Sequence, residues 1–262
     1  NKRDQIIGFG DLTKDDVVLE IGPGIGTLTT EISAKAKKVI AIEQDPVICK
    51  ILNDRLEREN IDNVELINED ALNVDFPKFN KIISNLPYQI SSPITFKFLD
   101  YDFDSAILMY QKEFANRMTG AVGTREYSRL SAMLYFKCDV EILTQVSAES
   151  FIPKPKVDST VVKLTPKLPE LRGKLSNVVS NEIDLETFKT YSDFTKALFQ
   201  HKNKKARNAL VDSRHIVSNF DKKEMKERLN SITSNKINAI LDSRVITISP
   251  EEILYLSSQL TF

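Results

Sequence analysis

Short apolar runs alternate with helically spaced ones along the first two thirds of the chain. DVVLEI (16–21) reads as a compact strand and GTLTTEISAKA (26–36) as the helix after it. KVIAIEQD (38–45) predicts a second strand. PVICKILNDRLEREN (46–60) predicts a helix with Pro46 at its first position, where a missing N–H costs nothing. Ile48, Ile51, Leu52 and Leu56 recur there at the spacing of one face. NVELINED (63–70), KIISN (81–85) and SAILMYQ (105–111) predict three more strands, with a helix over SPITFKFL (92–99). Strands separated by helices form βαβ units, hence an α/β architecture with a parallel sheet covered on both faces. DVEILTQV (139–146) and STVVKLTP (159–166) predict two further strands, and with no helical pattern between them they are expected to pair antiparallel.

The β signal ends at TPKLPELRGK (165–174), where two prolines and a glycine lie among charges. A boundary after residue 168 therefore divides an α/β domain, 1–168, from a small all-α domain, 169–262. In the latter, LETFKTYSDFTKALFQHKNKKARNALV (185–211), DKKEMKERLNSI (221–232) and PEEILYLSSQL (250–260) read as amphipathic helices.

Composition narrows the function classes. With 262 residues, 41% hydrophobic and 28% charged, the chain is long enough to bury a core without staples. No apolar run is long enough to span a membrane, and no secretory leader pattern is present. Cys49 and Cys138 form no disulfide framework, which suits a reducing cytoplasm, and they read as buried small hydrophobes. Two histidines and two cysteines without close spacing argue against a zinc site. The net charge of −1 by itself points to no nucleic acid. The distribution points the other way. Between Lys196 and Arg214 six basic residues, Lys202, Lys204, Lys205 and Arg207 among them, face one acid, Asp212. That segment is either a solvated helix face or an RNA contact.

Three strand exits carry the candidate chemistry. LEIGPGIGTLT (19–29) places Gly22, Gly24 and Gly26 directly after strand one and before a helix, where tight turns let a ligand approach the backbone. The spacing is G-x-G-x-G. The dinucleotide fingerprint G-x-G-x-x-G is absent, and so is a hydride-transfer residue set, which disfavours a NAD-dependent dehydrogenase. Strand two ends at Glu43, placed to accept hydrogen bonds from ribose hydroxyls, and strand three ends at Asp70. Acidic lining suits a cationic sulfonium nucleoside better than a pyrophosphate. Strand four ends at Asn85-Leu86-Pro87-Tyr88. The exocyclic amine of adenine is a poor nucleophile because its lone pair is delocalised into the ring. Acceptors aimed at its two hydrogens, the Asn85 side-chain oxygen and the Leu86 carbonyl, favour the pyramidal form that attacks a methyl group. Pro87 stiffens the turn that carries them, and Tyr88 offers a stacking face.

Taken together, VVLEIGPGIGTLT, VIAIEQD, NEDAL, SNLPYQISSPI, MYQKEFANRM and FIPKPKVDSTVV resemble, in order, the small-subunit rRNA adenine dimethyltransferases of the archaeal and eukaryotic branch. ALFQHKNKKARNAL (197–210) resembles that branch's C-terminal domain. The resemblance implies a Rossmann-like class I methyltransferase domain that uses S-adenosylmethionine and no metal. It implies dimethylation of two adjacent adenines in the 3′-terminal hairpin of small-subunit rRNA, on a pre-30S-like particle. With no oligomeric signal in the sequence, a monomer is the default expectation, in the cytoplasm and with no membrane partner. By the same resemblance, the Gly22 loop would hold the methionine part of the cofactor, Glu43 would bind its ribose, and Asp70 with Ala71 its adenine, with Gln44 also in the cofactor site. Asn85 would sit between cofactor and target amine, with Phe151 stacking on the target base opposite Tyr88. Gln111, Arg117, Lys154 and Lys156 would line the RNA approach. Family members begin with a basic arm ending in G-Q-x-F-L, and the sequence starting at Asn1 is expected to begin just past it.

Three other readings share parts of this pattern. Large-subunit rRNA adenine methyltransferases have the same catalytic motif, typically with Ile at the place of Leu86. An assembly factor would bind the immature subunit as its main service. A DNA adenine methyltransferase would use the same amine chemistry, since no motif here encodes the choice of RNA.

Overall fold

The computed structural model describes residues 2–150, 154–167, 185–260 and 262. The chain forms two compact units, one of residues 1–115 and 139–166, the other of 116–138 and 167–262. The sequence reading placed the division after 168 alone. In the structure 116–138 packs with the C-terminal helices.

The first unit is built on a seven-stranded sheet in the order β3-β2-β1-β4-β5-β7-β6. Its strands are β1 Val17–Ile21, β2 Lys38–Glu43, β3 Val64–Asn68, β4 Lys81–Asn85, β5 Ser105–Gln111, β6 Cys138–Val146 and β7 Ser159–Pro166. The first five run parallel, with Ile21 opposite Ile42 and Asn85 opposite Met109. β7 runs antiparallel to β5, Gln111 facing Ser159. Expected β6 and β7 are indeed sheet neighbours. Central β1 and β2 are buried almost throughout, as strands covered on both faces are. Edge strand β6 is largely open to solvent, which only an outermost position tolerates.

Helices α1 (Lys2–Gly8), α2 (Thr29–Ser33), α3 (Pro46–Arg58) and α4 (Ser91–Phe98) belong to this unit, and α5 (Lys112–Met118) leads out of it. One core joins Ile6 and Ile7 of α1 and Ile32 of α2 to Val18, Val39, Ile83, Ile107 and Val161 of the sheet. α2 is much shorter than the predicted 26–36; at its start Gly26 takes φ +85° and holds the first residues of that stretch out of the helix. α3 begins as predicted: Pro46 is at its start, and the Asp45 carboxylate caps the N–H groups of Val47 and Ile48. Its buried face is Cys49, Leu52 and Leu56. Ile51, expected on that face, is 46% exposed.

The second unit is helical. It contains α6 (Arg129–Lys137), α7 (Leu185–Phe199), α8 (Ala206–Asp212), α9 (Lys222–Asn230), α10 (Asn235–Asp242) and α11 (Pro250–Gln259). Tyr191, Phe194, Ala197 and Leu198 recur at helical spacing and form the buried face of α7. Buried tyrosine hydroxyls find backbone acceptors, Tyr191 on Ala132 at 2.8 Å and Tyr127 on Ile248 at 2.9 Å. Reciprocal capping boxes, Asp221 with Glu224 and Ser249 with Glu252, start α9 and α11. The single helix predicted over 185–211 is two, because Lys202–Ala206 turns aside to bond Ser243–Ile246.

Candidate active site

The carboxyl ends of four neighbouring parallel strands bring the predicted residues to one edge of the sheet. Side chains and backbone tie these ends together. The Ser84 hydroxyl donates to the Ile21 carbonyl at 2.6 Å, the Gly22 N–H to Ile42 at 2.9 Å, and the Asn68 amide to Glu43 at 2.9 Å and Gln44 at 3.1 Å. β4, β1, β2 and β3 therefore present their exits as one connected rim.

On this rim the glycine loop and the Asn85–Tyr88 motif touch. Gly22 has φ +67°, and a β-carbon there would lie 2.9 Å from Cγ of Pro87. Any side chain at 22 would push Pro87, and the acceptors ahead of it, out of place. Gly26, φ +85°, is pressed in the same way against Leu52 of α3. Nothing lies within 4 Å of a β-carbon built on Gly24, which leaves open space above the loop. The half-buried Glu43 carboxylate accepts from the N–H of Gly24 at 3.3 Å and of Asp45 at 3.0 Å, so it is aimed at the loop. Gln44 beside it is exposed.

Asp70 organises the turn after β3. Its carboxylate takes the Leu72 N–H at 2.9 Å and the Asn73 amide at 3.0 Å, and its carbonyl takes the N–H groups of Asn73 and Val74. Among the described residues nothing accepts from the N–H of Ala71, although the N–H groups of Leu72, Asn73 and Val74 that follow it are all bonded to Asp70.

At β4, Leu86 is buried and anchors the motif, while Asn85 beside it is exposed. Among the described residues, neither the Asn85 side chain nor the Leu86 carbonyl has a hydrogen-bond partner. Pro87, φ −59°, starts the 3-10 turn Tyr88–Ile90 that runs into α4. The Tyr88 hydroxyl is fixed by the buried Ser159 hydroxyl at 2.7 Å. Ser159 stands opposite Gln111, which brings the end of β5 beside the tyrosine. Phe151 lies outside the described residues.

Comparison with known proteins gives this arrangement a family. The family model described as Ribosomal RNA adenine dimethylase matches residues 1–244. The chain belongs to the ribosomal RNA adenine dimethylase family. It is 46% identical over 257 residues to the probable ribosomal RNA small subunit methyltransferase A of Methanosphaera stadtmanae, covering 98% of this chain and 88% of that protein. The protein of the same name from Methanothermobacter thermautotrophicus is 45% identical over 259 residues, 99% of this chain and 86% of that one. Among solved structures, a dimethyladenosine transferase from Plasmodium falciparum superposes with TM-score 0.75 at 31% identity, over 97% of this chain and 93% of that one. The 23S rRNA methyltransferase ErmE gives 0.66 at 25% identity, over 99% and 96%. Membership makes this chain an rRNA methyltransferase with a Rossmann-like sheet.

Against that family background, one residue missed in the sequence stands out. Glu20, in β1 two residues before Gly22, is 2% exposed, and its Oε2 has no hydrogen-bond partner among the described residues. Burial pushes its carboxyl up to about 8. The signal was a lone acid inside an apolar strand that opens onto a glycine loop.

The basic residues predicted to meet RNA divide into two kinds. Lys154, which pairs with Glu149, and Lys156 are exposed in the first unit, and Arg117 is exposed in the second. Lys202 and Arg207, by contrast, are committed within the second unit. The Lys202 ammonium donates to the Arg125 carbonyl at 2.8 Å, and the Arg207 guanidinium to the Leu229 carbonyl at 2.7 Å and the Asn238 side chain at 2.8 Å. Counting charges along the segment overstated the number of free cations. Among the described residues the Lys204 and Lys205 ammonium groups make only surface pairs, with Asp212 at 2.8 Å and Asp242 at 3.8 Å. Among the described residues no group of three or more His, Cys, Asp or Glu could hold a metal ion, and no helix is long and apolar enough to cross a membrane.

Proposed function

We propose that this chain transfers methyl groups from S-adenosylmethionine to the exocyclic amines of two adjacent adenines in the 3′-terminal hairpin of small-subunit rRNA, giving N6,N6-dimethyladenine. The observation that carries the reading is the packing of Pro87 on Gly22. It puts the open glycine loop and a pair of acceptors, unpartnered among the described residues, on one rim. The rim fits the cofactor. Glu43 is placed for ribose hydroxyls, with Gln44 beside it. The free Ala71 N–H suits a ring nitrogen of adenine, and the exchangeable bond from Asp70 to exposed Asn73 suits its amine. The orphaned Oε2 of buried Glu20 suits a cation such as the amino group of methionine.

When bound, S-adenosylmethionine supplies an electrophilic methyl on a positively charged sulfur. The chain's own residues prepare the nucleophile. The Asn85 side-chain oxygen and the Leu86 carbonyl accept the two N–H bonds of the target amine and turn its lone pair toward the methyl group. Pro87 keeps those acceptors fixed, so no reorganisation is needed at the moment of attack. Tyr88, pinned by Ser159, presents a ring on which the extruded base stacks, with Phe151 as its opposite face. The amine is neutral before attack, so no general base is required, and the extra proton leaves to water afterwards. Gln111, Lys154 and Lys156 from the first unit, and Arg117, Lys204 and Lys205 from the second, meet rRNA phosphates. The substrate is the assembling small subunit in the cytoplasm, and the enzyme acts as a monomer.

The test is methyl transfer from radiolabelled S-adenosylmethionine into small subunits that lack the modification. Label in dimethyladenine of the 3′-terminal hairpin is expected. Tight binding to the subunit with no label would replace this reading with that of an assembly factor.

A further inference from the structure

The turn that would read the cofactor's base is held from two sides. Asp70 holds the near side with the bonds described above. The far side rests on one residue of α4, Lys97. Its ammonium donates to the Ala71 carbonyl at 3.0 Å and to the Val74 carbonyl, and lies 4.4 Å from the centroid of the Phe76 ring. An ammonium has three donors in all. Two are spent on carbonyls of the turn and the third faces an aromatic ring, so Lys97 has nothing left for a ligand. The next residues complete the same clamp. The Tyr101 hydroxyl accepts from the Phe76 N–H at 3.2 Å, and Phe76 packs against Phe79, Phe98 and Tyr101.

Lys97 lies on the helix that continues directly from the Asn85–Tyr88 motif. The piece of chain that carries the acceptors for the target amine therefore also grips the peptide unit that carries the free Ala71 N–H. Without the ammonium, the carbonyls of Ala71 and Val74 lose a charge-assisted donor and the turn is free to rotate that N–H away.

We propose that Lys97 is a positioning residue that sets base specificity for the cofactor by fixing the orientation of the Ala71 N–H, without touching the cofactor itself. The inference rests on the S-adenosylmethionine reading above. A donor at Ala71 selects a base with an acceptor ring nitrogen, as in adenine. It rejects hypoxanthine, which carries N–H at that position.

The test compares binding of S-adenosylhomocysteine and S-inosylhomocysteine to the full chain, Lys97→Met and Lys97→Arg, by calorimetry. The ratio of two affinities measured on one sample does not depend on the fraction folded, so a partly unfolded Lys97→Met preparation still reports it. Wild type is expected to prefer the adenine compound. Lys97→Met is expected to shrink that preference about tenfold, by weakening the adenine compound alone, as loss of a supporting bond does. Lys97→Arg, which keeps a cation and donors, is expected to restore most of it. An unchanged preference in Lys97→Met overturns the role of Lys97 and leaves the cofactor assignment standing. Binding of both compounds with no preference in wild type overturns the role of Lys97 and the base contact at Ala71, whereas failure of wild type to bind either compound overturns the cofactor assignment. Equal weakening of both compounds means that Lys97 supports the fold and not the choice of base, and also overturns the proposal.

Discussion

Strand β1 has a buried carboxyl near each end, and the two are treated in opposite ways. Just before its amino end, Asp16 is saturated. It accepts from Asn80 at 2.8 Å, from the Thr13 N–H at 2.7 Å and from Lys81 at 3.1 Å. Burial raises its pKa, but these bonds outweigh burial and hold the carboxyl at about 2. Near the carboxyl end, Glu20 has an oxygen with no partner among the described residues, and burial holds its carboxyl at about 8. The neighbours follow suit. Asn80 at the amino edge spends its whole side chain on the Val17 N–H, Asp16 and Asp104. At the opposite edge the Asn85 side chain has no hydrogen-bond partner among the described residues. One edge of the sheet closes its polar groups on one another to stabilise the fold. The other ties its backbone together but leaves the Glu20 Oε2 and the Asn85 side chain open among the described residues, a local cost that makes sense where a ligand completes the bonds.

The sharpest way to break this comparison is Asn85→Ala. The side chain is exposed and unpartnered, so its loss is expected to change stability by less than about 0.5 kcal/mol. Methyl transfer is expected to fall by about a thousandfold or more, the scale seen when a preorganised acceptor or donor in an active site is removed. Transfer assays beside a thermal melt decide it, and near-normal turnover would remove Asn85 from the chemistry.

Glu20 gives the next effect through pH. Its folded-state pKa lies above its ordinary value of 4.5, so its contribution to stability is full below about pH 4.5 and is lost as pH rises to about 8. Denaturant melts of wild type are expected to lose on the order of a few kcal/mol across that window, and Glu20→Gln, which cannot ionise, is expected to flatten the loss. A slope that persists in Glu20→Gln would place the titrating group elsewhere.

At the closed edge, Asn80→Ala strands the Val17 N–H and one oxygen of Asp16. It is expected to cost about 2–4 kcal/mol of stability, while transfer per folded molecule stays at the wild-type rate. Active-site titration against denaturation separates the two quantities. A fall in both would mean that the two edges are not independent.

The sequence made the open edge legible because strand exits are local features. A five-residue apolar run, a glycine cluster, an acid and Asn-Leu-Pro-Tyr can each be read within a few positions, and the parallel order then brings them together. What escaped depends on distant partners. That Asp70 bonds the N–H groups of Leu72, Asn73 and Val74 but not that of Ala71, that Lys97 grips carbonyls 26 and 23 positions away, and that Pro87 needs a glycine at 22 all require the folded chain. α6 was missed for a related reason. Leu130 to Leu134 and Phe136 are all buried, so no polar face breaks the run and no amphipathic period marks the helix. The break between α7 and α8 also went unseen, because it is made by bonds to Ser243–Ile246 and not by a turn residue.

The same contrast of closed and open polar groups recurs, at the smallest scale, among the cations of the second unit. Lys202 and Arg207 are bonded to backbone carbonyls, the one on Arg207 being the part-buried carbonyl of Leu229. Lys204 and Lys205 sit in exposed pairs, and such pairs exchange readily for another anion. The hydrogen bond from Lys204, with help from Lys222, keeps the Asp212 carboxyl below its ordinary value, so the pair is formed at neutral pH yet open to solvent. Each phosphate contact releases about one counterion. Reversing both charges, Lys204→Glu with Lys205→Glu, is expected to reduce the slope of log affinity for rRNA against log salt by about 2. Stability should move by less than about 1 kcal/mol. Arg207→Met is expected to do the opposite, costing about 1–3 kcal/mol through the stranded Leu229 carbonyl with the salt slope intact. Filter binding over a salt series reads the difference. If Arg207→Met alone flattens the slope, its guanidinium leaves its internal partners on binding RNA, and the division between closed and open groups does not hold for this unit.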